Sequence, residues 1–391
     1  MRRFWLAVHR YLGLGALLFL AVAALTGCIL SFRGPLDAAL NPDLFRRASA
    51  APLDAPAAVA AYEGKHRGVV ALSFPLRVGP GEALPVSVAA ASGRPPLGYD
   101  QVFLSDSGGH VSGVRATRAG WDRRHLMEGV YLFHYTLLGG RWGRWLMGLA
   151  ALAWLIGAGV GLYLTFPSRG PFWRGWIPSW RLSLRGRLPK ALLSLHEATG
   201  LWLLVPVVIL AFTSVSMNFF DEAFTPAVQA LSPARPSPFD PGAGRRPSSG
   251  QSVGFAPVIG SAEARARDRG LGWRPAAVWR RPDLGLYGVS FTNDGRVNFS
   301  RLGPITYVFD GASGRFVYED NPYEDSAGRA LSRALYPLHT GKMAGPAGVA
   351  LDVLLGLVTI AQCVTGAYLW WKRRGPRVAA RRARRRERAP A

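Results

Sequence analysis

The chain has two cysteines in 391 residues, Cys28 and Cys363. No C-x-x-C-H occurs, which excludes covalent attachment of a c-type haem. P-loop, G-x-S-x-G, H-E-x-x-H and dinucleotide fingerprints are also missing, so no nucleotide or flavin site is evident. Acids are scarce: 24 Asp and Glu face 47 Lys and Arg, a net charge of +23. In a soluble protein that balance would point to nucleic acid. Here the acids are missing from particular places, and those places give the charge another meaning.

What is abundant is apolar sequence. Four stretches, 9–32, 142–166, 191–220 and 347–371, are long enough to cross a bilayer, which takes about 20 apolar residues. With both termini in the cytoplasm, the cytoplasmic pieces are the N-terminus (Arg2, Arg3, Arg10), the loop 167–190 (Arg169, Arg174, Arg181, Arg185, Arg187, Lys190) and the tail 372–391. They carry three, six and ten basic residues against one acid, Glu387, so +18 of the +23 lies on one face. This is the positive-inside pattern of a multi-pass protein of a bacterial inner membrane, and it explains "RRARRRER" without a nucleic-acid partner. Cys28 and Cys363 then fall at opposite depths, too far apart for a disulfide. The "LTGC" ending at Cys28 resembles a lipobox, whose processing would remove the first helix. The second half of the chain reproduces that helix without such a signal, which favours reading it as a span.

The reproduction is systematic. An offset of 187 superposes His9 on His196, Gly13 on Gly200, Leu14 on Leu201, Thr26 on Thr213 and Phe32 on Phe219. An offset of 205 superposes His134 on His339, Gly140 on Gly345, Gly143 on Gly348, and "GLYL" (161–164) on "GAYL" (366–369). The expected fold is an α-helical integral membrane protein with four transmembrane helices arranged as an internal duplication in parallel topology. The plan reads as an N-terminus and first helix (1–32), a small α+β periplasmic module (33–125), and a histidine segment with the second helix (126–166). A basic loop (167–190) leads to the third helix (191–220). A second α+β module (221–335), a histidine segment with the fourth helix (336–371) and a basic tail (372–391) follow. The modules share a pattern of helix, strand-like runs and a closing hairpin ("YDQVFLSDSGGHVSG", "ITYVFDGASGRFVYE"). A Pro/Gly/Ser linker, 232–250, precedes the second.

Four of the seven histidines occupy duplicated positions. His9 and His196 fall at one end of their helices, and His134 and His339 precede theirs at the other, so the plan supplies a pair for each side of the bilayer. Two imidazoles facing across a pseudo-two-fold axis suit a bis-histidine haem, and the glycine four residues after His9 and His196 leaves a bare patch for a flat macrocycle. Zinc or copper stays open, although structural zinc takes four ligands close together. Asp352 lies inside the fourth helix and is suspect as an intramembrane acid, but its repeat partner is Met147, so it is not part of the duplicated plan. Glu197 reads as interfacial, Trp370 and Trp371 as aromatic belt, and His66, His110 and His125 as module surface.

"HRYLGL", "LHTGK", "GAYLWW" and the "VFDGASGRF" hairpin resemble the PepSY-associated transmembrane family, over nearly the whole chain. Within it the chain resembles the FoxB-like di-haem siderophore reductases. That resemblance implies two non-covalent haems b with His9, His196, His134 and His339 as axial ligands. It also implies a ferric siderophore as acceptor, reduced on the periplasmic side, and PepSY-type outer modules. The electron donor, cytoplasmic or membrane-borne, is not marked in the chain, and a four-helix bundle can hold two haems within a monomer. Three other readings stand beside it: a membrane-anchored binding or sensory protein, a metal transporter, and a haem protein serving a quinone or a periplasmic redox protein.

Overall fold

In lipid, an apolar segment has no water to satisfy its backbone, so it folds as a helix whose N–H and C=O groups pair internally. The computed structural model describes residues 1–240, 252–372, 374 and 375. Among these, three helices are long and apolar enough to cross a membrane: Arg2–Leu30, Gly140–Thr165 and Lys342–Lys372. The stretch expected as a straight third span is a pair of helices, Leu188–Trp202 and Leu204–Asn218, bent by 73° around Leu203. Pro206 accounts for the bend. It lies in the first turn after the break, has no N–H to offer the Trp202 carbonyl, and crowds that turn with its ring. The count is therefore three spans, or four if the bent pair is one. Most of the linker's second half, and the basic tail beyond residue 375, lie outside the described residues.

The chain divides into two compact units. The helical unit comprises Met1–Ser31, Tyr131–Pro226 and the chain from Leu338 onward. Within it Arg2–Leu30 packs against both Gly140–Thr165 and Gly345–Lys372, the duplicated second helices.

The other unit, Phe32–Val130 with Ala227–Pro337, holds the β-structure. Each half supplies a helix and a four-stranded antiparallel meander. The first half has the helix Ala55–Lys65, then β1 (Val69–Pro75), β2 (Leu84–Ala90), β3 (Gln101–Leu104) and β4 (Val111–Arg115). The second has the helix Phe255–Asp268, then β5 (Arg274–Arg281), β6 (Leu286–Thr292), β7 (Ile305–Asp310) and β8 (Phe316–Asp320). The two halves, expected as separate small modules, share one sheet in the order β4-β3-β2-β1-β5-β6-β7-β8. β1 pairs antiparallel with β5 through Ser73–Trp279, Phe74–Val278 and Pro75–Ala277. A four-stranded half has little core of its own and would leave an open edge at β1 or β5; pairing the two edges removes both problems.

One core joins the two halves. Ala58, Val59 and Tyr62 from the first helix, and Val258, Ala262 and Ala266 from the second, pack with Phe74, Val86, Val278 and Phe291. Asp54 caps the first helix, its carboxylate accepting from the Ala57 N–H at 3.0 Å. The seam between halves is tied by charge. The Arg280 guanidinium donates to Glu63 and, through Nε, to the Ala71 carbonyl at 2.5 Å, and it lies 5.2 Å above the Phe255 ring. Glu63 Oε1 also accepts from the Ala71 N–H at 2.7 Å.

Asp43 sits on a short turn of helix, Pro42–Phe45, and its carboxyl is held below the ordinary value by Arg123 and, after it, by Arg124. A carboxylate whose folded pKa is depressed stabilises the fold above its ordinary pKa and loses that effect as pH falls through the lowered value. Protection of the Leu44 amide, corrected for intrinsic exchange, should be flat from neutral pH to about pH 5 and decline below about pH 4. Unchanged protection at pH 3 would show that these contacts do not hold the turn.

Candidate functional site

The duplicated histidines meet in two pairs within the helical unit. His9, near the start of Arg2–Leu30, faces His196 of Leu188–Trp202, with ring centres 6.3 Å apart. His134 and His339, at the C-terminal ends of Leu126–Thr136 and Ala327–His339, are likewise 6.3 Å apart. Thr26, which contacts His134, lies seventeen residues beyond His9 on one unbroken helix. That is about 25 Å of rise at 1.5 Å per residue, close to the roughly 30 Å of a hydrocarbon core. The pairs therefore lie near opposite ends of the helical unit.

Glycine makes the second pair possible. After Thr136 the chain reverses through Leu137, Leu138 and Gly140, all at positive φ (50°, 58° and 54°), before the Gly140–Thr165 helix begins. In the second repeat, Gly341 and Gly345 take the left-handed φ values, 69° and 63°. A Cβ on Gly143 would overlap the Thr136 carbonyl, and one on its repeat partner Gly348 would overlap the Gly341 carbonyl. Each spanning helix thus starts in backbone contact with the turn that follows a histidine, an approach only glycine permits.

Every imidazole is met by the protein at Nδ1. For His134 the partner is Thr26 Oγ1 at 2.9 Å, and for His339 it is Thr213 Oγ1 at 3.2 Å. His9 reaches the Gly157 carbonyl at 3.0 Å, and His196 stands 3.5 Å from Thr365 Oγ1, the longest of the four. Glycines flank the rings: a Cβ on Gly161 would lie 3.1 Å from His9 Cε1, and one on Gly27 would lie 3.3 Å from His134 Cε1. His9 and His196 line a cavity of about 470 Å³, together with Gly13, Gly157, Gly161 and Gly200. Its volume falls in the range of cofactor sites, about 300–1,000 Å³.

Among the described residues no three or more His, Cys, Asp or Glu side chains gather where they could hold a metal ion. The four-ligand site that structural zinc takes is therefore not formed by them. Two imidazoles on one metal are another matter. With a metal–nitrogen bond of about 2 Å and a ring centre about 1.2 Å behind the nitrogen, trans imidazoles place their ring centres about 6 Å apart. Both pairs have that separation, with Nδ1 occupied on the protein side, the arrangement expected of metal-bound histidine. His9 and His196, with their cavity, fit a bis-imidazole haem, and His134 and His339 match them in ring separation and in contact at Nδ1.

The remaining candidates divide between the helical unit and the β unit. Asp352 is half-buried in Gly345–Lys372 and has no hydrogen-bond or ion-pair partner among the described residues. Cys28 and Cys363 are both free; the Cys28 thiol lies 3.6 Å from the Val353 carbonyl and packs against Gly356. Glu197 and Trp370 line the cavity, and Trp371 is exposed. In the β unit His66 stacks on Tyr62, His110 pairs with Asp106 at 2.6 Å, and His125 pairs with Asp122 at 2.7 Å. His110 is exposed as expected, whereas the His125 side chain is largely covered. Sequence reasoning did not assign Thr26, Thr213 or Thr365 a role. The repeat match of Thr26 with Thr213 was the available signal.

The fold and the site together define an internally duplicated membrane protein that carries a histidine pair near each end of its helical unit and an antiparallel β unit in the same chain. Residues 6–373 match the family model described as the PepSY-associated TM region, and the chain belongs to that family. No curated protein matches it.

Proposed function

We propose that the chain is an inner-membrane di-haem b reductase that delivers electrons to ferric siderophores in the periplasm. In this reading His9 and His196 ligate one haem, and His134 and His339 the other. The bent helix pair counts as one of four spans, both termini are cytoplasmic, and the two halves of the β unit are PepSY-type modules in the periplasm. The observation that carries the proposal is the recurrence of one pair geometry, 6.3 Å between ring centres with Nδ1 engaged, near both ends of the helical unit. The charge distribution supports the orientation.

Haem b, when bound, supplies a one-electron couple at each site. The chain's own part is to aim each imidazole through Nδ1, to clear space beside it with glycine, and to keep the two sites within one bundle. The acceptor chemistry suits such a device. Siderophores hold Fe(III) with hard oxygen ligands, and Fe(II) binds them far more weakly, so one electron releases the metal and leaves the chelator whole. No NAD(P)H pool exists in the periplasm, so the electron has to come across the membrane.

The test is an absorption spectrum of the detergent-purified protein, as isolated and after dithionite, with a pyridine haemochrome count. Two b haems per chain are expected, falling to one in His9→Ala and to one in His339→Ala. A colourless protein from haem-replete cells would overturn the proposal and favour a membrane-anchored binding or sensory protein. Two haems that ferric siderophores fail to oxidise would move the acceptor to another class, such as a quinone.

A further inference from the structure

We infer that Thr26 and Thr213 are positioning residues: they hold the proton of His134 and His339 on Nδ1, present Nε2 of each to a metal, and so tune the reduction potential of the site these histidines form. The inference rests on the haem reading and adds the residues that set its electronics.

The argument is one of hydrogen counting. A threonine hydroxyl has one hydrogen to donate and lone pairs to accept. Thr26 Oγ1 donates along its own helix, to the Val22 carbonyl at 2.6 Å, with Ala23 at 3.2 Å as the alternative acceptor. Thr213 Oγ1 donates in the same way to Ile209 and Leu210, each at 3.0 Å. With its hydrogen committed to the helix, each hydroxyl can only accept from the imidazole it faces. His134 Nδ1–H therefore donates to Thr26, with the Ala23 backbone carbonyl as a second acceptor for the ring N–H, and His339 Nδ1–H donates to Thr213. In a neutral imidazole the proton on Nδ1 puts the lone pair on Nε2, the nitrogen a metal needs. Thr26 is 7% exposed and Thr213 0%, so bulk water does not compete for either bond.

Packing alone would be served as well by valine, which has the same shape without the acceptor and without the back-bond that slightly weakens a helix. Yet threonine stands at the matching position of both halves, each time against the histidine that precedes the second helix of its own half. The His9/His196 pair is built differently: a backbone carbonyl, Gly157, accepts from His9, and Thr365 stands at 3.5 Å from His196. The shorter hydroxyl contacts, 2.9 and 3.2 Å, are thus those on His134 and His339, where a substitution can reach them. An acceptor on Nδ1–H makes the imidazole a more basic ligand, which favours the ferric state and lowers the potential. Removing it should raise the potential of that haem and leave the other unchanged.

The experiment is an optical redox titration of the full-length protein in detergent, with haem counted by pyridine haemochrome, for wild type, Thr26→Val, Thr213→Val and Thr26→Ser. In each valine variant one of two waves should move to higher potential while the other stays, and Thr26→Ser should titrate like wild type. Loss of one haem in the valine variants, with two kept in Thr26→Ser, supports the same role, because outer ligands of this kind typically contribute 10–100-fold in metal affinity. Unmoved waves in both valine variants would overturn the inference and leave the haem proposal standing. So would equal loss of haem in Thr26→Ser and Thr26→Val, which would mark a packing role. A wild-type protein with no haem would overturn the proposed function and this inference together.

Discussion

Gly348→Val should both destabilise the protein and empty one haem site, although Gly348 touches no histidine. A Cβ at this position would overlap the Gly341 carbonyl, and Gly341 is itself held at φ 69° in the turn that follows His339. Neither backbone can yield without moving the other, so the turn must open and carry His339 away from Thr213. Overpacking of this kind costs about 1–3 kcal/mol, occasionally more. A contact with backbone, which has no rotamer to relieve it, belongs at the upper end. The repeat makes the expectation double: Gly143→Val should act on the turn after His134 through the Thr136 carbonyl. Thermal unfolding of the full chain reads the first effect. The haemochrome count, falling from two to one, reads the second. Wild-type stability together with two haems in both variants would show that the close approach is not needed.

Glu63→Ala should strongly destabilise the β unit at its seam. The Arg280 side chain is only 14% exposed, and Glu63 is the acid that faces it across the seam between β1 and β5. Removing one partner of a buried pair leaves an uncompensated charge, at a cost of about 3–5 kcal/mol. The exposure at this seam discounts that toward the lower figure, since residual solvent screens the charge. The Ala71 N–H loses its acceptor as well. Glu63→Gln keeps an acceptor without the charge and should fall between alanine and wild type. Hydrogen exchange at Phe74 and Val278, on opposite sides of the seam, measures the loss directly. Equal protection in Glu63→Ala and wild type would mean that the shared apolar core alone joins the halves.

The bend at Leu203 shows how partial the linear signal was. Hydropathy averages over a window, so residues 191–220 read as one apolar span. The cause of the break, Pro206, is a single residue that such an average dilutes. The β unit divides in the same way. Its strands were legible from alternation and turn residues, which act over a few positions. The partner of β1 is β5, some two hundred residues away, and no local pattern names it.

The sequence by itself determined the apolar helices, the duplication, the family, and which histidines stand at equivalent positions. Each of these is written in spacing or in the polarity of neighbouring residues. Only the tertiary structure decided that the two meanders form one sheet, that Gly143 and Gly348 meet backbone, and that threonine hydroxyls receive Nδ1 of His134 and His339. Those outcomes depend on which atoms of distant segments come within about 3 Å, the range of a hydrogen bond. Directional contacts of that range arise only when the helices have packed.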